Sequence, residues 1–364
     1  MVPAVKQRCR RKPGLLLCCG LLCALLGLWG CVNGEYIARQ AIGQLGVLVR
    51  SVPIEQALVS GTLSAEQIRK LGLIIEAREF ARTELGLNVG WAFSLFHDTA
   101  GEPLAYNLSA APKDSLVPKS WVFPIVGEID YVGYFSHADA EQAEAQLQQQ
   151  GYDTVLRAVD AYSTLGWLPD PVHSPLLERE DANLVEVVIH ELAHNTVYVN
   201  GRSDFNESLA TFIGRTGAVV FYERRSPDGQ QTAELLRARY VDQDRVTAWF
   251  VELFETLQQY YDQDIPHDEK VAGREAVFQA ARDRFVSEVQ PQLNEPQRHQ
   301  GWASLPTNNA WILLNRRYNF DLDLFQAVYD QGGGDFHVLL ETLRAAARSA
   351  DPWAHLREAT PSGD

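Results

Sequence analysis

The chain has 364 residues and sets 32 Lys and Arg against 47 Asp and Glu, a net charge of −15. So acidic a surface is a poor partner for nucleic acid or anionic lipid headgroups, which carry the same sign. Its five cysteines, Cys9, Cys18, Cys19, Cys23 and Cys31, all fall at or before position 31. Beyond that point no disulfide framework and no cysteine metal site is possible, and a metal site must be built from His, Asp and Glu.

The first element is a leader. The basic stretch MVPAVKQRCRRKPG runs into the apolar LLLCCGLLCALLGLWGC, the layout of a secretory signal over residues 1–30. An uncleaved signal anchor is the alternative, although the run is short for spanning a bilayer. It closes on Leu28-Trp29-Gly30-Cys31, which resembles a bacterial lipobox with Cys31 as the acylated residue, Trp29 departing from the small or aliphatic residue usual there. Cleavage removes Lys6, Arg8, Arg10, Arg11 and Lys12 with no acidic residue, leaving 27 basic against 47 acidic side chains. Val32 is not the Asp that resembles an inner-membrane retention signal. The expected location is therefore the bacterial envelope, on the outer membrane facing the periplasm, held through N-terminal acyl chains such as palmitate.

The remainder, 31–364, reads as one domain of α+β class. Residues 31–88 are helical: EYIARQAIGQLGVLV has helical apolar spacing, and SAEQIRKLGLIIEAREFARTEL opens with Ser64 three residues before Gln67, a capping box. Residues 89–180 are mixed. WAFSLF, PLAYNLS, SWVFPIVGEIDYVGYF and TVLRAVDAYSTLGWL are aromatic and β-branched and read as strands, with a helix over HADAEQAEAQLQQQGYD ending at Gly151. Residues 181–364 are mainly helical, with elements near Thr232–Tyr261, Asp268–Val289, Leu322–Asp330 and Phe336–Ser349. No Gly-x-Ser-x-Gly elbow, P-loop or basic–aromatic patch is present, which removes serine hydrolases, nucleotide enzymes and nucleic-acid binders.

The chemistry lies in VEVVIHELAHNTVYVNGRSDFNESLATFIG. His190 and His194 are four apart, so a helix projects both from one face and can place two nitrogens about 2.0–2.1 Å from one zinc ion. A strand would hold them about 13 Å apart, useless for one metal. Glu191 sits on the flank, able to take a proton from a water whose pKa zinc lowers towards about 7. Asn200-Gly201 marks a stop, and Asp204 begins a second helix. Asp204-x-x-Glu207 fits a capping box, which would give Glu207 a purely local use. A helix hairpin alternatively brings Glu207 opposite His194 as the third zinc ligand, with Ala210 and Gly214 letting the two backbones approach.

These residues are familiar. HELAH with FNESLAT, preceded by AYSTLGWLPDP and GYF, resembles a family of bacterial proteins described as predicted aminopeptidases, with a gluzincin-type zinc site. The similarity extends to FPIVGEIDYVGYF, GYDTVLRAVDAYSTLGW and NNAWILLNRRYNFDLDLF. It implies one zinc per chain on His190, His194 and Glu207, Glu191 as base, and a peptide substrate. The interval from His194 to Glu207 is shorter than in the best-known gluzincins, and no Gly-x-Met-Glu-Asn exopeptidase motif is found; Glu128 in VGEID is the nearest acidic residue in a strand context. A non-catalytic envelope lipoprotein with a structural or vestigial HExxH, or a zinc endopeptidase or peptidoglycan hydrolase, are the competing readings.

Supporting roles are assigned around this centre. Ala161–Trp167, with Ser163, Thr164 and Gly166, is expected either as a substrate-pairing edge strand or as a segment whose Tyr162 and Trp167 pack in the core. Tyr318, near Asn308 and Asn309, is the expected oxyanion donor. Glu186 or Asp204 is expected to orient a ligand histidine. The other histidines, His97, His137, His173, His267, His299, His337 and His355, lack ligand spacing and are expected at the surface.

Overall fold

A computed structural model describes residues 34–123, 127–161, 168–225, 227–318 and 321–360. The expected leader with Cys31, and residues 162–167 of the expected edge strand, lie outside them. The chain divides into two units, residues 1–49 and 50–364. A helix, α1 (Gly34–Arg50), makes up the described part of the first.

The second unit is α+β, with the expected order of helices, central strands and a mainly helical C-terminal part. It opens with β1 (Val52–Pro53), α2 (Ile54–Leu58) and α3 (Ala65–Thr83). The capping box at the head of α3 is present: Ser64 Oγ accepts from the Gln67 N–H at 3.2 Å, and Gln67 Oε1 accepts from the Ser64 N–H at 3.0 Å. The strand expected over WAFSLF is confined to β2 (Leu95–His97), because Phe93 takes a left-handed backbone (φ 56°) and turns the chain.

The longest strands are β3 (Ala105–Pro112) and β7 (Tyr152–Val159), paired antiparallel from Ala105 opposite Val159 to Pro112 opposite Tyr152. Between them come β4 (Trp121–Phe123), β5 (Gly127–Ile129), β6 (Val132–Tyr134) and α4 (His137–Gln149). The sheet order is β6-β3-β7, so among the described strands β7 is an edge. Its exposed positions are Arg157 and Ala158. The strand β8 (Val172–His173) pairs in parallel with β2. This pairing corrects the surface expectation for two histidines. His97 and His173 stand opposite each other and are 4% and 2% exposed, with their Nδ1 atoms 3.1 Å apart.

The helical part comprises α5 (Asp181–His194), α6 (Ser203–Arg225), α7 (Pro227–Tyr261), α8 (His267–Arg284), α9 (Asn309–Tyr318), α10 (Leu322–Gln331), α11 (Phe336–Ala347) and α12 (Pro352–Ala359). Two apolar cores hold it. One joins α3, α5, α6, α10, α11 and α12 through side chains such as Leu71, Ile189, Phe205 and Phe325. The other joins α7, α8 and α9 to β3 and β7, through Trp249, Phe278, Ile312, Ala111 and Val155. A buried ion pair ties the second core to the sheet: Arg274 on α8 donates to Asp153 on β7 at 2.6 and 3.1 Å.

Candidate active site

The helix α5 is apolar nearly all round because it is packed nearly all round. Leu184, Val185, Val188, Ile189 and Leu192 are fully buried, whereas Glu186, Val187, His190 and Glu191 lie on the half-buried remaining face. That packing overrides the weak helix preference of the β-branched residues. Arg69 of α3 grips Asp181 in the first turn with two bonds of 2.7 Å, a fork–fork pair at the helix end that favours negative charge. The helix ends at His194, and Gly201, at φ 72°, turns the chain into α6.

Register across that turn is set by Asn206, whose Oδ1 accepts from the Val199 N–H and whose Nδ2 donates to the Val199 carbonyl, both at 2.8 Å. The two helices then run close together. A Cβ added at Gly214 would meet the Glu186 carbonyl oxygen at 3.0 Å and His190 Cβ at 3.1 Å. Small residues at this spacing give the close approach expected of Gly214.

The result brings His190, His194 and Glu207 together, with one ligating atom from each lying within 4.8 Å of the others. Glu207 Oε2 stands 3.5 Å from His190 Nε2 and 3.6 Å from His194 Nε2. These gaps exceed good hydrogen bonds, about 2.7–3.2 Å. They approach the separation of two ligands of one tetrahedral ion, about 3.4 Å when each lies near 2.1 Å from it. A set of two imidazoles and one carboxylate therefore fits zinc in both spacing and donor type. Burial works against the charge of Glu207, yet the imidazoles outweigh it and hold its pKa far below the carboxylate range. Burial likewise disfavours protonated His194, and the Glu207 carboxylate reverses this, raising its pKa. His194 Nδ1 is buried with no hydrogen-bond partner among the described residues.

Glu191 lines the same cavity, of about 420 Å³, as the trio. Burial chiefly, with help from Glu207 and Asp160 and against the two imidazoles, raises its pKa from the ordinary carboxylate value. A carboxylate shifted that way is better matched to taking a proton near neutrality. The lining also includes the end of β7 and the residues after it, from Arg157 to Ala161.

The remaining expected residues fall variously. Glu186 lines the cavity, and its carboxylate accepts the Tyr240 hydroxyl at 3.0 Å. Asp204 lies outside the cavity lining and accepts from Trp353 Nε1 at 3.1 Å. Asn308 and Asn309 are engaged away from the cavity: Asn308 Nδ2 donates to the Thr154 carbonyl, and Asn309 Oδ1 accepts the Tyr261 hydroxyl. Tyr318 closes α9, its side chain outside the description; Ser163, Thr164 and Gly166 also lie outside it. Glu128 is exposed and does not line the cavity. Asp160 and Tyr198 are among the lining residues not singled out in the sequence. Tyr198 sits four residues beyond His194, and burial with the nearby Glu207 charge raises its pKa, keeping it a neutral O–H donor.

The sequence model of a family described as "Putative aminopeptidase" matches residues 35–354, nearly the whole chain. The chain belongs to that family. Its match takes in α5, α6 and β7, so every wall of the cleft lies within the family's span. No curated protein and no solved structure matches.

Proposed function

We propose that this member of the aminopeptidase family is a zinc-dependent peptide hydrolase, acting as an aminopeptidase. The observation that carries the reading is the convergence of His190, His194 and Glu207, at ligand spacing, on the cavity that Glu191 also lines. His190 Nε2, His194 Nε2 and a Glu207 carboxylate oxygen would hold one zinc per chain. When bound, zinc supplies a Lewis acid that acidifies water and polarises a peptide carbonyl.

The chain's own residues supply the rest. Glu191 takes the proton of the attacking water at a carboxylate oxygen and delivers it to the leaving amine. The Tyr198 hydroxyl, which lines the cavity, is a candidate donor to the oxygen on which charge develops, beside Tyr318, whose side chain lies outside the described residues. As an edge of its sheet among the described strands, β7 is a second candidate, beside the expected segment Ala161–Trp167, for an extended peptide to pair with. Cys31 is read as the lipid-bearing residue that tethers the enzyme to the bacterial envelope; among the described residues no helix is long and apolar enough to cross a membrane.

The test uses the full chain loaded with zinc, with metal content and peptide hydrolysis measured beside Glu191→Gln. About one zinc per chain is expected in both proteins, with kcat lowered by about 10²- to 10⁴-fold in the variant, the range for loss of a general base. Absence of bound zinc after reconstitution, or a variant as active as the parent, sinks the proposal.

A further inference from the structure

Two carboxylates in the cleft take no part in the metal trio or in the proton transfer assigned to Glu191. Asp160 follows the last residue of β7, its side chain 23% exposed. Both its oxygens accept from the Arg179 guanidinium, at 2.8 and 3.0 Å, and that guanidinium also donates to Asn183 Oδ1 on α5 at 2.6 Å. Glu186 lies on α5 four residues before His190 and is held by the Tyr240 hydroxyl at 3.0 Å. Both line the metal cavity from different walls. Each is immobilised by a neighbour, so little rotamer freedom remains to be lost when a ligand arrives.

Four residues of helix advance about 6 Å. In a peptide, the terminal nitrogen lies two bonds, about 2.5 Å, from the first carbonyl carbon. A peptide whose first carbonyl sits at the trio and Glu191 therefore carries its terminal nitrogen towards Glu186, one helical turn away, in the cavity that Asp160 also lines. An α-ammonium has three N–H donors and a full positive charge, and two anchored carboxylates supply acceptors of the opposite sign. Arg179 shares the charge of Asp160, so the empty cleft is spared two unbalanced anions.

We propose that Asp160 and Glu186 together hold the substrate's α-ammonium group, so that the cleft selects peptides by a free N-terminus. This rests on the hydrolase reading above and gives it its exopeptidase character. An acetylated N-terminus offers one neutral N–H and a bulkier group, leaving Asp160 with Arg179 alone and Glu186 with only the Tyr240 hydroxyl.

The experiment compares the zinc-loaded full chain with Asp160→Asn and Glu186→Gln on an aminoacyl anilide and its N-acetyl counterpart. Bound zinc and melting temperature are measured alongside. The parent is expected to prefer the free amine strongly. In each variant the ratio of kcat/KM for free over acetylated substrate falls by about 10- to 100-fold, the value of a hydrogen bond to a charged group. The loss should sit in KM, with zinc retained. Should Asp160→Asn fail to fold, Glu186→Gln decides, since the Gln carbonyl still accepts the Tyr240 hydroxyl. A zinc-bound parent that cleaves both substrates equally overturns this proposal and spares the hydrolase; so does an unchanged ratio in Glu186→Gln. A parent that binds no zinc and cleaves neither substrate overturns both.

Discussion

At position 207 a capping pattern and a ligand pattern coincide in the sequence, and the side chain can serve only one of them. Its carboxylate turns to His190 Nε2 and His194 Nε2 rather than to the head of α6. Glu207→Ala is therefore expected to weaken zinc binding by at least about 100-fold, the upper end for changes to the outer partners of metal ligands. Titration calorimetry with zinc checks this. A residue that merely capped α6 would instead cost about 1 kcal/mol of stability and leave zinc affinity unchanged. The histidines were legible because their relation is local: a spacing of four fixes a shared helix face whatever else the chain does. Asp160 and Tyr198 were not. Asp160 reaches the cleft only because β7 ends beside α5, a juxtaposition made by tertiary packing that no spacing encodes. Tyr198 sits in a turn whose path depends on the Asn206 amide bridging back to Val199.

Among elements, the α5–α6 pair decides whether the ligands meet, and Gly214 decides how closely the pair packs. Its missing Cβ lies against the Glu186 backbone and the Cβ of His190, neither of which can swing aside. Gly214→Val is expected to destabilise the fold by about 1–3 kcal/mol through overpacking, despite the better helix propensity of Val than of Gly. It should also weaken zinc binding, because it pushes apart the two helices that carry the trio. Urea unfolding and zinc titration on the same variant check both effects; a variant more stable than the parent would mean that the helices separate freely. Helices in general were legible here, α3 down to its capping box, since periodicity and caps are written locally. Strands were less so. The apolar WAFSLF yielded only β2, and the β3–β7 register follows from long-range pairing. The helix α5 itself reads ambiguously by composition and is settled by burial on nearly every side.

For the molecule as a whole, the buried histidine pair sets an acid limit. Burial, with the neighbouring His97, pushes His173 down to about 3, and burial lowers His97 as well. Unfolded histidine titrates near about 6.5. Between those values the unfolded chain binds a proton that the fold refuses, so the stabilisation is complete above pH 6.5 and is lost as the pH falls. At pH 5 the His173 share amounts to about 2 kcal/mol. His173→Asn should flatten the melting temperature between pH 7 and pH 5 relative to the parent, as read by calorimetry; an equal slope in both would place the acid sensitivity elsewhere. The two cores also divide the labour of the cleft. The three side chains of the candidate metal site stand on α5 and α6 of the first core, whereas β7, whose end lines the same cavity, packs Val155 against the second. On the proposed reading, an ion and a substrate would thus be entrusted to separately stabilised halves of one cleft. Heat or denaturant that loosens the second core first would silence turnover while the ion stays gripped, so that inactivation and metal release become distinct events along the path to the unfolded chain.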